Sequence, residues 1–267
     1  MKKIQFILTL SIGLSLTILS SCKKDDPTPI TPIIPAPTSG TVELRLEHIF
    51  GAEDVAFSLN SADYYVTALG DSVKFTTFKY YVSNIELLKS DGSSYKQPES
   101  YFLVDASNAT STKLSIPNVP PADYTGVRFL LGVDSTRNVS GAQEGALSPA
   151  NGMFWTWNSG YIFNKAEGNS PQITGMGNSF TLHVGGFTGA NKALQTKTIS
   201  FNGGKLTVNG TREAEIHLAV DVKEYFSAEN PIQLASTNMA MMPTATTRKI
   251  SENYRNMFAF EHLHNGN

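Results

Sequence analysis

The chain has 267 residues, 21 basic and 23 acidic side chains, a formal net charge of −2 and a single cysteine. So balanced a composition, with no basic stripe, excludes nucleic acid as a partner. A lone cysteine excludes an internal disulfide and a thiolate-rich metal site, so stability must come from a hydrophobic core, which a chain of this length can supply.

In chain order, Lys2 and Lys3 precede an apolar run over residues 4–19, and Leu19-Ser-Ser-Cys22 follows. This predicts a lipoprotein signal peptide over residues 1–21, cut before Cys22, whose thiol then carries the lipid. The alternative is an uncleaved anchor, but Gln5 interrupts the run and it is short for a spanning helix. Residues 22–40 are rich in Pro and Thr without periodicity and predict an extended tether. Lys23-Lys24-Asp25-Asp26 resembles tags that send lipoproteins to the cell surface, so surface and periplasmic faces of the outer membrane stand as equal alternatives.

Residues 41–267 read as one β domain. Val42, Leu44 and Leu46 alternate with Glu43, Arg45 and Glu47, the period of a half-buried strand. Residues 75–88 are dense in aromatic and β-branched side chains, and Tyr101-Phe-Leu-Val104 is a short apolar strand. Val127, Phe129, Leu131 and Val133 alternate cleanly. Both tryptophans, Trp155 and Trp157, lie between Asn151 and Tyr161, and from Val139 to Phe163 the only charged residue is Glu144. That segment is a π-rich apolar patch, either the central strand of a sandwich or a functional surface. Phe180, Leu182 and Val184 mark another strand, and Asn202-Gly-Gly204 predicts a hairpin joining residues 198–201 to 205–208. The longest alternation is Ala214, Ile216, Leu218, Val220 and Val222, and Ser251 is placed to N-cap a short helix reaching Met257. Many short strands punctuated by Gly, Pro and Asn predict an all-β fold: a single antiparallel, immunoglobulin-like sandwich with long loops.

Strand parity sorts the five histidines. His48 shares the inward parity of Val42, Leu44 and Leu46, as a core residue or a ligand. His183 lies opposite Leu182 and Val184, just before Gly185-Gly186. His217 faces away from its apolar row and reads as solvated surface. His262 and His264, at i and i+2, share a strand face at the reach of two ligands of one metal, unless the C-terminus is a frayed tail. There is no Gly-x-Ser-x-Gly elbow, His-Glu-x-x-His pair or phosphate-cradling loop, and no paired acids, so no catalytic residues are expected and the chain reads as a non-enzyme.

The stretch Gly132-Val-Asp-Ser135, Ser140-Gly-Ala-Gln143, Gly145-Ala-Leu147 and Asn151-Gly-Met-Phe-Trp-Thr-Trp-Asn-Ser-Gly-Tyr161 resembles the central fingerprint of the MbnP family. Lys79 to Leu87, Val119 to Tyr124, Phe180-Thr-Leu-His183 and Met257 to Asn265 resemble it as well. These are periplasmic or surface proteins associated with copper, first met beside methanobactin genes. The resemblance implies copper held by histidines together with kynurenine, made from a tryptophan by a di-haem peroxidase-like cytochrome. Carried over, it implies Trp155 or Trp157 as the kynurenine precursor, with His183, His48 and His262 or His264 as ligands. The chain departs from copper-linked members after His183, where Val184-Gly-Gly-Phe187 lacks the cysteines associated with that loop. Readings from other classes are a glycan-binding surface lipoprotein using exposed aromatic rings and a scaffolding protein without metal.

Overall fold

The computed structural model describes residues 39–51, 55–141, 143–156, 160–210 and 212–265. The signal segment, Cys22, most of the tether and Trp157 lie outside the described residues. The longer strands are β1 (Gly40–Ile49), β2 (Ser72–Leu88), β3 (Tyr101–Asp105), β4 (Lys113–Val119), β5 (Gly126–Leu131), β6 (Gly160–Asn169), β7 (Ser179–Gly185), β8 (Gln195–Ser200), β9 (Ala214–Asp221) and β10 (Phe258–His264). A single turn of helix, α1 (Ser135–Val139), and the longer α2 (Ala245–Arg255) complete the main elements. Among the described residues no helix is long and apolar enough to cross a membrane.

The strands form two principal sheets. The first has four strands in the order β10-β9-β1-β4; the second runs β8-β5-β2-β6-β7 and then the short strand Met239–Ala240, with β3 also on β2. The all-β expectation therefore holds, but the purely antiparallel immunoglobulin-like sandwich does not. β1 and β9 pair in parallel, as do β7 and Met239–Ala240, so both sheets are mixed. Alternation reports which face is buried and is the same in either pairing sense, so it is blind to this difference.

Inward rows meet as the alternation requires. Val42, Leu44 and Leu46 from β1 and Ile216, Leu218 and Val220 from β9 are buried, with Phe180, Leu182 and Val184 from β7. Aromatic rings interlock edge to face, as in Phe75–Phe180 (5.5 Å, 84°) and Tyr80–Phe258 (5.7 Å, 80°), the arrangement that ring quadrupoles favour.

A second layer covers part of the outer face of the larger sheet. The segment after β5 folds back over β2 and β6, where the Tyr81 hydroxyl donates to the Ala146 carbonyl (2.9 Å) and that of Tyr161 to Leu147 (2.7 Å). Trp155 is only 4 % exposed. It fits because β7 has glycine at position 185: a Cβ there would stand 2.6 Å from the indole. Of the aromatic run, Trp155 and Tyr161 are therefore part of the hydrophobic core, and Phe154–Trp155 pairs as a short strand with the start of β6.

Two local expectations are corrected. The turn at Asn202-Gly203 forms, both residues with positive φ, but its arms do not pair with each other. β8 joins β5, whereas Leu206–Val208 joins Ala122–Tyr124 in a separate two-stranded ribbon. The turn chemistry is local, and the neighbouring strands outcompete the hairpin partner. The helix begins earlier than expected: Thr244 caps α2, with Thr247 reciprocating, and Ser251 is a buried interior residue. A serine can cap only where the preceding chain is extended.

Candidate metal centre

The outward face of the smaller sheet collects most of the chain's imidazoles. On β9 the residues facing away from the core are Glu215 and His217; in parallel register, β1 places Glu43 and Arg45 beside them. The other neighbour, β10, carries a bulge. His217 pairs with His262 and Leu218 with Phe260, so Glu261 is the extra residue. Phe258 and Phe260 face the core; strict alternation would carry His262 and His264 inward behind them. The inserted residue reverses the parity, turning both histidines outward and Leu263 inward.

One ring nitrogen from each of His217, His262 and His264 lies within 4.8 Å of the other two. The His217 and His262 rings stack at 4.1 Å, and His264 stands edge-on to both, at 5.0 Å from His217 and 4.9 Å from His262. His217 is only 6 % exposed, while the other two rings are open to solvent. Its outward direction matches the sequence expectation; its solvation does not, because neighbouring strands drape imidazole and carboxylate over it. Nδ1 lies 3.1 Å from Glu47 Oε1 and Nε2 3.0 Å from Glu215 Oε2. Burial pushes the Glu215 carboxyl up, but the His217 bond, Arg45 and His264 outweigh it and hold it below the usual range. Arg45 binds Glu215 at 2.9 Å and Glu43 at 2.6 Å.

His183 occupies the outer face of the larger sheet, also 6 % exposed. Its Nε2 lies 2.7 Å from Glu167 Oε1 on β6, and Thr77 donates to the other oxygen at 3.0 Å. Desolvation lowers the His183 pKa, partly opposed by Glu167. Glu167 itself sits below its usual value: burial raises it, but the bonds from His183 and Thr77 and the charge of Lys165 prevail. An ionised Glu167 fixes the proton on Nε2, leaving a bare lone pair on Nδ1. That buried nitrogen has no hydrogen-bond partner. Two residues along the same face, Trp155 covers Gly185 and borders a cavity of about 290 Å³ lined also by Tyr161, Phe187 and Pro243.

His48 points into the core, as its parity predicted. Its Nε2 is 2.9 Å from the Tyr80 hydroxyl, and its ring touches Phe57 and Phe78. Burial lowers its pKa to about 4, so the ring is neutral.

The expected ligand set thus divides. His262 and His264 come together and recruit His217, whereas His48 belongs to the core and His183 to the outer face of the other sheet. His217 was missed because pairing with a bulged strand leaves no mark on its own alternation; the only signal was the presence of another imidazole-bearing strand.

Compared with known proteins, the sequence model of the MbnP family matches residues 39–243. Among solved structures the chain is similar to MbnP from Methylosinus trichosporium, at 15% identity and a TM-score of 0.47, covering 73% of this chain and 79% of that one. No curated protein matches.

Proposed function

The chain belongs to the MbnP family, and from that premise we propose that it is a copper-binding lipoprotein of the cell envelope, anchored to the outer membrane through Cys22. The metal is held by His217, His262 and His264. The observation carrying this reading is the convergence of three imidazole nitrogens within 4.8 Å on one sheet face. Imidazole suits copper in either redox state, and the chain offers no competing thiolate in its folded domain. Binding requires His262 to leave its stack on His217, which an exposed side chain does at small cost. The test is a copper titration of the unlipidated Cys22→Ser protein: His217→Ala and His262→Ala should each weaken binding at least tenfold, and His48→Gln should not. Unchanged affinity in His217→Ala would sink the assignment.

A second position has its own support. The bare Nδ1 of His183 and the nearby Trp155 are the elements that the family resemblance joins in one copper site, with the indole opened to kynurenine by a di-haem cytochrome partner. Peptide mass mapping of protein from its native host tests this: Trp155 or Trp157 should carry the roughly 4 Da gain of that conversion, by covalent bookkeeping. The glycan-binding alternative is weakened, since Trp155 is buried and offers no platform for a sugar ring.

A further inference from the structure

His183 has the surroundings of a metal-binding imidazole. Its Nε2 is engaged by the Glu167 carboxylate at 2.7 Å, while Nδ1, on a ring only 6 % exposed, has no hydrogen-bond partner. Histidines that hold a metal give their second nitrogen to a carboxylate in this way, which orients the ring and raises the basicity of the coordinating nitrogen. A buried polar atom left bare calls for a partner. The ring alone does not say which ion it takes; the neighbouring strand does.

Beyond β7 the larger sheet ends in the short strand Met239–Ala240, which opens the run Met239-Ala-Met-Met-Pro243. Three of the chain's seven methionines fall in this run. Met153 and Met257 are buried, as their hydrophobicity requires, whereas Met239 is 53 % and Met242 56 % exposed. The pairing fixes where these side chains stand. Thr181 aligns with Met239 and Leu182 with Ala240, in parallel. Leu182 and Ala240 are buried, so Thr181 and Met239 face out. Further along, Gly186 abuts Pro243: a Cβ at Gly186 would stand 2.9 Å from that of the proline. Met241 and Met242 therefore run beside residues 183–185, and the same alternation sets Met241 next to His183 on the outer face.

We propose that Met239 and Met241 add thioether sulfurs to Nδ1 of His183 and so form a Cu(I) site at the edge of the larger sheet. This rests on the reading of His183 as a copper ligand and deepens it with sulfur donors and an oxidation state. The folded domain has no cysteine, so methionine is its source of soft sulfur, and thioethers select Cu(I) over Cu(II) or Zn(II). An unbranched side chain with three rotatable bonds closes over an ion from a neighbouring strand without moving the backbone. The site needs neither tryptophan oxidised.

The test removes the histidine triad, using Cys22→Ser, His217→Ala, His262→Ala protein, and supplies Cu(I) anaerobically in competition with a chromophoric Cu(I) chelator. One Cu(I) per chain is expected, with sulfur scattering in the copper X-ray absorption spectrum. Adding Met239→Leu and Met241→Leu, which keep side-chain volume, should weaken binding at least tenfold and abolish the sulfur scattering. His183→Gln should weaken binding as much, and circular dichroism checks the fold of each variant. With the triad intact, the protein loaded with two equivalents of Cu(I) should show the same sulfur scattering. Its absence there, or undiminished affinity in the leucine variant, overturns the thioether site; His183 stands as a ligand if His183→Gln still loses the metal. Binding that survives His183→Gln overturns the joint site. No Cu(I) bound by the folded triad-free protein overturns both readings.

Discussion

At the residue scale, the same side chain does different work according to what the second sheet brings near it. His48 sits beside Tyr80, Phe57 and Phe78, and burial holds its pKa at about 4 against 6.5 in the open chain. The sign follows directly: the unfolded chain takes up a proton on falling through pH 6.5 and the folded one does not until about 4. The stability contribution is therefore complete above pH 6.5 and is lost between 6.5 and 4. At about 1.4 kcal/mol per unit, and with solvent reaching part of the ring, the loss should be on the order of 1–3 kcal/mol. Urea melts across that window should show His48→Gln flattening the acid limb relative to the parent. At Gly185 the argument is steric. An alanine Cβ would meet the Trp155 ring at 2.6 Å and the Tyr161 carbonyl at 2.7 Å, so Gly185→Ala should cost about 1–3 kcal/mol and expose the indole. A red-shifted tryptophan emission checks it; unchanged emission would mean that Trp155 is not seated there.

At the element scale, the candidate centre depends on one inserted residue. β10 reads Phe258-Ala-Phe-Glu-His-Leu-His264, and only the bulge at Glu261 lets Phe260 and Leu263 both face the core while His262 and His264 face out. Deleting Glu261 should restore plain alternation and send the histidines inward or the C-terminal pairing out of register. Copper affinity is expected to fall at least tenfold, with a stability loss of about 1–3 kcal/mol. Isothermal titration alongside thermal melts separates the two effects, and full copper affinity in the deletion variant would contradict the role given to the bulge. The strand pattern around His217 was legible in sequence, since Ile216, Leu218 and Val220 are buried where the alternation put them. The bulge was not: an extra residue in one strand becomes visible only against the partner whose register it breaks.

At the scale of the whole molecule, the folded domain and its predicted leader pose separate questions. Cys22→Ser should block lipidation and release the protein from membranes, as read by fractionation and immunoblotting; a variant still pelleting with the envelope would remove the lipoprotein reading. Alternation along each strand already determined the all-β class, the buried rows and the inward direction of His48, because which face of a strand is apolar is a property of that strand alone. The family fingerprint was equally local, carried by contiguous residues from Gly132 to Tyr161. Tertiary structure alone decided that β1 lies parallel to β9, that the Asn202-Gly203 turn joins strands of different sheets, and that His217 meets His262 and His264. Those outcomes depend on which distant strands compete for the same edge and in what register, and that competition is settled by the packing of the whole core.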